Sequence, residues 1–218
     1  MTSDTLEAIQ AEVETHAHGR VPRGLRRRQV LAIAEELFVE RGYAGASMDE
    51  LAGRAGVSKP VIYDLVGSKD AVFEACMAAA ADELAVSVAE AVTGAGEDPE
   101  ARLRAGALAW FEFIGRRRAV WDSLLASQDA PATAAIEAIR IRQDGFVAQE
   151  LAAGAAADGQ PVDLELAGAV AAAMNGAFEA LGRWWHDHPD RTAADLAELY
   201  TALVLPGLTA MLDWADSG

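Results

Sequence analysis

Residues 47 to 69 read Ser-Met-Asp-Glu-Leu-Ala-Gly-Arg-Ala-Gly-Val-Ser-Lys-Pro-Val-Ile-Tyr-Asp-Leu-Val-Gly-Ser-Lys, and this order of caps, small residues and turn formers leaves little conformational choice. Ser47 followed three residues later by Glu50 makes a capping box, in which hydroxyl and carboxylate each satisfy an orphan N–H of a helix beginning at Met48. Leu51, Ala52 and Ala55 give that helix a narrow apolar face that a second helix crosses closely. Gly56 takes φ > 0 without a Cβ penalty and turns the chain. Ser58 caps the next helix, and Pro60 falls in its first turn, where a missing N–H costs little. Two short helices joined by a tight turn are the expected result.

The spacing also assigns faces to the second helix. Ile62, Leu65 and Val66 point to the core, which leaves Lys59, Pro60 and Tyr63 on the open side, with Val61 beside them. Such a patch at a helix N-terminus suits a reader of the DNA major groove, and the terminal N–H groups favour phosphate nearby. Ser68 caps a third helix. Lys69 in its first turn is badly placed for the helix dipole, and a phosphate in front of it accounts for the cation. Ser47 and Lys69 are expected to hold phosphates, and Ser58 belongs to the same DNA-binding set.

Residues 26 to 76 resemble the DNA-binding domain of TetR/AcrR-family transcriptional repressors. The resemblance is carried by Arg26-Arg27-Arg28, the Ala34/Leu37/Phe38 face, Gly42-Tyr43, Ser47 to Ala52, Ala55 to Lys59, Tyr63 and Ser68 to Phe73. Two residues depart from it or add to it. Val66 stands where that family usually has an aromatic residue. Asp64 places a carboxylate on the flank of the reading helix, where it either accepts from a cytosine amino group or lowers affinity. These departures keep open an alternative reading, a small-molecule-binding helical module with weak or lost DNA binding.

Net charge is −16, which by itself argues against a nucleic-acid partner. Its distribution reverses that conclusion for one region. Residues 20 to 69 carry a local +3, residues 70 to 218 a local −15, and the first 19 residues −4. Arg23, Arg26, Arg27 and Arg28 adjoin the reading motif and are expected to reach phosphate. Arg116-Arg117-Arg118 sit in the acidic part, where nearby acids are the expected partners. One cysteine, Cys76, excludes an internal disulfide and reads as a small buried apolar residue. The acidic lead is wrong for a signal peptide, and charge interrupts every apolar run, so neither a membrane span nor membrane association is expected. A soluble cytoplasmic protein is predicted.

Alanine-rich composition with few β-branched runs favours helices throughout. The expected fold is all-α: an N-terminal three-helix DNA-binding head followed by a helical ligand-binding and dimerisation body. Residues 1–19 form a flexible extension, although Leu6, Ile9 and Val13 share a helical face. Residues 20–75 are the head and 76–218 the body. A helix over 25–41 ends at Gly42, and a longer one runs from Lys69 to about Val92. Further helices are expected over 100–114, 119–127, 131–154, 164–186 and 192–214, the last interrupted by Pro206. The last two are apolar over much of their circumference, and one face of each therefore needs a partner chain. The resemblance implies the same homodimer, and two heads on one duplex imply a near-palindromic operator.

No nucleophile–base–acid set, phosphate loop or dinucleotide fingerprint is visible, so no enzyme and no cofactor are expected. His16/His18 and His186/His188 lack the Cys or carboxylate company of a metal site. The body is instead marked by aromatics. Trp110, Phe113, Trp121, Phe146, Phe178 and Trp184, with Met174 and Asn175, are expected to line a cavity for an apolar or aromatic small-molecule effector. Its binding would release the operator.

Overall fold

The computed structural model describes residues 3–16, 21–117, 130–157, 159 and 162–215. Among them the chain is all-α, with nine helices and no strand. Two compact units divide inside one long helix, between Ala81 and Asp82.

The first unit contains α1 (Ser3–Glu14), α2 (Arg23–Gly45), α3 (Met48–Ala55), α4 (Lys59–Val66) and the start of α5 (Lys69–Gly94). Along α2, Val30, Ile33, Ala34, Leu37 and Phe38 are buried, and helical geometry breaks at Gly42 with φ 67° and ψ 171°. This left-handed φ is the one a glycine adopts without Cβ strain. Phe73 of α5 packs edge-on against Phe38 and Tyr43, with ring centroids 5.2 and 5.0 Å away. Gly56 (φ 65°, ψ 31°) ends α3, and Ile62 of α4 is fully buried in the same core as Leu51.

The N-terminal residues correct the expectation of a flexible extension. Within 1–19, Ser3–Glu14 is a helix whose Leu6 and Ile9 are buried in the head core, with Val13 packed against it. Polar composition pointed to disorder. The three apolar residues share one helical face, however, and its burial against the head core, worth about 1.5–3 kcal/mol for each fully buried Ile or Leu, docks the segment. Arg28 adds an ion pair to Glu12 at 3.0 Å.

The second unit holds the rest of α5, α6 (Pro99–Arg116), α7 (Ala130–Ala157) from residue 137 onward, α8 (Leu164–His186) and α9 (Ala193–Ala215). Local chemistry sets the helix starts. Asp98 accepts from the Ala101 N–H at 3.0 Å, and Asp163 from the Glu165 N–H at 3.3 Å. At α9 the capping is reciprocal: Thr192 Oγ accepts from the Asp195 N–H (3.1 Å) and Asp195 from the Thr192 N–H (2.9 Å). The Thr192 backbone N–H, donating to it, holds the Asp195 carboxyl below its usual range.

α7 and α8 run antiparallel. Arg140 meets Glu179 at 3.4 Å, Asp144 meets Asn175 at 2.6 Å, and Ala148 packs with Ala171 and Ala167. α9 packs along α6, burying Leu196, Ala197 and Tyr200. It continues through Pro206, whose missing N–H leaves the Ala202 carbonyl without its helical donor. By length and composition alone α8 is apolar enough to cross a membrane, a test that core helices of soluble proteins also pass. The helix expected over 119–127 lies outside the described residues.

Candidate nucleic-acid interface

Burial of Ile62 fixes the rotation of α4. It turns Lys59, Pro60, Val61 and Tyr63 outward, and Val61 and Tyr63 are 40% and 47% exposed. Leu65 and Val66 are partly buried against the head core, on the face their spacing assigned. The Ser47 hydroxyl accepts from the Glu50 N–H at 3.1 Å, but the reciprocal half of that capping box does not form. Glu50 turns its carboxylate to Arg54 at 2.7 Å, a cation already bound to Glu40 at 2.6 Å. Arg54's hydrogen bond holds the Glu40 carboxyl below its usual range. Nor does Ser58 cap α4 with its side chain, as sequence suggested; its backbone carbonyl instead accepts from the Ile62 N–H at 3.2 Å.

Most described cations of the head have partners within it. Lys59 Nζ lies 2.9 Å from Asp49 on α3, and that hydrogen bond raises the ammonium pKa. Lys69 donates to the Ala44 carbonyl at 3.3 Å and sits 4.5 Å above the Tyr43 ring, so a carbonyl and a π face offset its position at a helix N-terminus. Arg26 bonds Gln29 at 2.6 Å and reaches the Ala55 carbonyl, at the end of α3, at 3.5 Å. Arg27 is exposed and close enough to the Cys76 thiol to oppose burial, which pushes that thiol up to about 12. Arg23 reaches α4 itself, donating to the Asp64 carboxylate and, at 2.6 Å, to the Asp64 backbone carbonyl.

In the second unit the described sequence-predicted ligand residues lie in different surroundings. Trp110 stacks on Phe178 with centroids 4.8 Å apart, and Phe178 stacks on Tyr200 at 3.8 Å. Phe111, fully buried, lies edge-on to Trp110, Trp185 and Tyr200. Phe113 is buried under the Arg117 guanidinium, 4.2 Å from its ring centroid. Phe146 and Trp184 are instead exposed, at 46% and 39%. Trp184 stacks on His188 at 3.9 Å. Asn175 is occupied by Asp144, and the Met174 carbonyl accepts from the Tyr200 hydroxyl at 3.4 Å. Trp121 lies outside the described residues.

Arg117 also bonds Glu83 at 2.6 Å, and Arg116 lies 3.9 Å from Glu112. These are the acidic partners expected for two of the three clustered arginines; Arg118 lies outside the described residues. Among the described residues, no three His, Cys, Asp or Glu side chains gather as metal ligands. His188 Nδ1 is 2.8 Å from the Trp184 carbonyl, and His18 is outside the described residues.

Residues 30–76 match the family model for bacterial regulatory proteins, tetR family. Residues 30–76 therefore form a domain of that family. It is 46% identical over 95 residues to the HTH-type transcriptional activator FasR of Mycolicibacterium smegmatis, a match spanning 44% of this chain and 43% of FasR. Its fold is similar to a TetR-like transcriptional regulator from Rhodococcus sp. RHA1, with TM-score 0.64 and 27% identity over 87% of this chain and 99% of that one. A TetR-family transcriptional regulator from Streptomyces coelicolor is similar in fold, with TM-score 0.62 and 20% identity over 88% of each chain.

Three features of this chain were not assigned from sequence. The pairing of Arg23 with Asp64 and that of Lys59 with Asp49 carried no local signal, since each spans a turn of the fold. Tyr200, at the centre of the aromatic cluster, did carry one. It stands four residues after buried Leu196, on the core face of α9.

Proposed function

We propose that this TetR-family chain is a cytoplasmic, homodimeric, sequence-specific DNA-binding regulator that represses transcription from a near-palindromic operator. An apolar or aromatic small molecule releases it. One observation carries the DNA reading: buried Ile62 orients α4 so that Lys59, Pro60, Val61 and Tyr63 form an exposed face on a short helix. Lys59 leaves Asp49 to reach a base edge in the major groove, and Tyr63 takes a phosphate. Dimerisation is supported by the outer faces of α8 and α9. Ala169, Ala172, Ala173 and Gly176 are exposed on α8, and Leu199, Ala202, Leu203 and Pro206 on α9. Two heads on one duplex face then stand about 34–36 Å apart or a multiple of it.

The effector reading is supported by the aromatic density around Phe178. Trp110 and Tyr200 are buried against Phe178, so an apolar effector enters by parting these rings, and Asn175 leaves Asp144 to meet its polar group. The effector must prefer the conformation that does not bind DNA, and operator DNA must then weaken the effector by the same factor.

The test is selection of duplexes from a random-sequence pool, followed by gel shift at stated salt. A recovered near-palindrome that competes over scrambled DNA supports the reading. Failure to enrich any sequence would leave the small-molecule module in its place. The identity with FasR favours a second reading, activation rather than repression. In vitro transcription from the selected site separates them by the sign of the effect.

A further inference from the structure

Arg23 and Asp64 stand 41 residues apart in the chain and meet at the flank of α4. One guanidinium nitrogen donates to the Asp64 carboxylate, and the other terminal nitrogen to the Asp64 backbone carbonyl at 2.6 Å. The two side chains nonetheless stay 65% and 68% exposed. A guanidinium carries five N–H donors in a rigid fork, so donors remain for another acceptor. An ion pair this exposed contributes little to folding. Its place beside the reading helix matters more. A bare carboxylate one residue after Tyr63 would repel an approaching phosphodiester backbone. Arg23 cancels that charge. Asp64 in turn removes much of the rotamer freedom that the guanidinium would otherwise lose only on meeting DNA.

We infer that Asp64 is a positioning residue for DNA binding: it fixes the Arg23 guanidinium beside the recognition helix with its remaining donors free for a phosphodiester oxygen at the groove edge. This rests on the DNA-binding reading of α4. Simple electrostatics makes the opposite forecast, because deleting a carboxylate near DNA should tighten binding. The same forecast follows if Asp64 withholds Arg23 from DNA.

The sign of one substitution therefore decides. The probe is a duplex that the wild-type chain selects from a random pool, with affinity measured over a salt series. Asp64→Ala is expected to weaken binding roughly tenfold, about 1.4 kcal/mol. Arg23→Ala weakens it at least as much and lowers the salt slope by roughly 1, the loss of one phosphate contact. With Arg23→Ala already present, Asp64→Ala no longer weakens binding and instead restores part of it, by removing an unmasked charge. Asp64→Asn, which keeps an acceptor, falls between wild type and Asp64→Ala. Thermal melts of all variants should match wild type. If Asp64→Ala binds as well as or better than wild type, or Arg23→Ala leaves affinity and salt slope unchanged, the inference is overturned while the DNA reading stands. If the wild-type chain selects no duplex, the DNA reading itself fails and takes the inference with it.

Discussion

Replacing Leu203 with Glu separates folding from assembly. Leu203 lies on the outer face of α9 and is 61% exposed in the single chain. A change there should alter protomer stability by no more than about 0.5 kcal/mol. In a two-fold dimer the same residue is buried twice, once from each subunit. Full burial of a leucine is worth about 1.5–3 kcal/mol. The exposed portion, scaled to 61%, therefore contributes roughly 1–2 kcal/mol per copy and roughly 2–4 per dimer. At 1.4 kcal/mol per tenfold, the dissociation constant of the dimer rises by roughly 30-fold to 1,000-fold. Burying two unpaired carboxylates adds to this. Sedimentation velocity over a concentration series reads the assembly, and circular dichroism melts read the fold. The expected result is a folded monomer that no longer shifts the near-palindromic operator. Ile141→Glu, at a position 64% exposed on α7, serves as the control and should remain dimeric. A Leu203→Glu chain that stays dimeric at wild-type concentrations would refute the assignment of this face. A monomer that keeps full operator affinity would refute the link between dimer and DNA.

Three further outcomes test the chemistry elsewhere. Gly115→Ala drives a Cβ to 2.9 Å from Trp185, a ring held by its Nε1 donating to the Arg191 carbonyl at 2.8 Å; overpacking of about 1–3 kcal/mol should outweigh up to about 1 gained in helix propensity, whereas Gly145→Ala, which meets open space, should stabilise, and denaturant melts showing the same sign for both would contradict the packing. Cys76 should resist thiol reagents: with its pKa moved from 9.0 to about 12, the thiolate population at pH 8 falls about a thousandfold, so labelling should report opening of the head rather than native reactivity. Because the folded value is the raised one, the contribution of the neutral thiol to stability is fully present below 9.0 and is lost as pH rises toward about 12. Lys59→Ala should relax preference at one base pair by roughly 1–3 kcal/mol; an equal loss on every operator variant, measured by competition, would remove its base-reading role.

The head was legible in sequence because its signals are local. Ser47, Gly56 and Pro60 act on backbone within a few residues, and the spacing of Ile62, Leu65 and Val66 sets the rotation of α4 without long-range information. α1 shows where that reading failed. Leu6, Ile9 and Val13 carried a helical face, but only tertiary contact with the head core decides whether so short a helix is ordered. Side-chain pairing was still less accessible. Glu50 had an equally plausible local partner at Ser47, and the structure gives its carboxylate to Arg54 because a charged donor is the stronger one. In the body, aromatic density was visible, but the choice between rings facing a ligand and rings facing one another depends on which helix faces meet. Trp184 and Trp185 are adjacent in sequence, yet one is exposed and the other 8% exposed under Phe111.

The ion pairs of the head bear on how the proposed regulator discriminates between sites. A local charge of +3 on residues 20 to 69 suggests a surface waiting for phosphate. Yet Lys59 rests on Asp49, Arg28 on Glu12, and Arg54 on Glu40 and Glu50, whereas Asp64 leaves donors of Arg23 open. A phosphate that displaces one of these carboxylates exchanges one ion pair for another, and the net gain is smaller than for a free cation. Non-specific DNA, which offers phosphates alone, is penalised most by this exchange. On the proposed reading, a cognate groove adds base contacts from Lys59 and apolar contact from Val61 that no internal carboxylate supplies. The acidic remainder of the chain, at −15, acts in the same direction by opposing any approach of DNA other than through the head. Internal pairing therefore lowers absolute affinity while widening the gap between cognate and random sequence. On this argument Asp49→Asn, which frees Lys59, should raise affinity for scrambled duplex by a larger factor than for the selected operator.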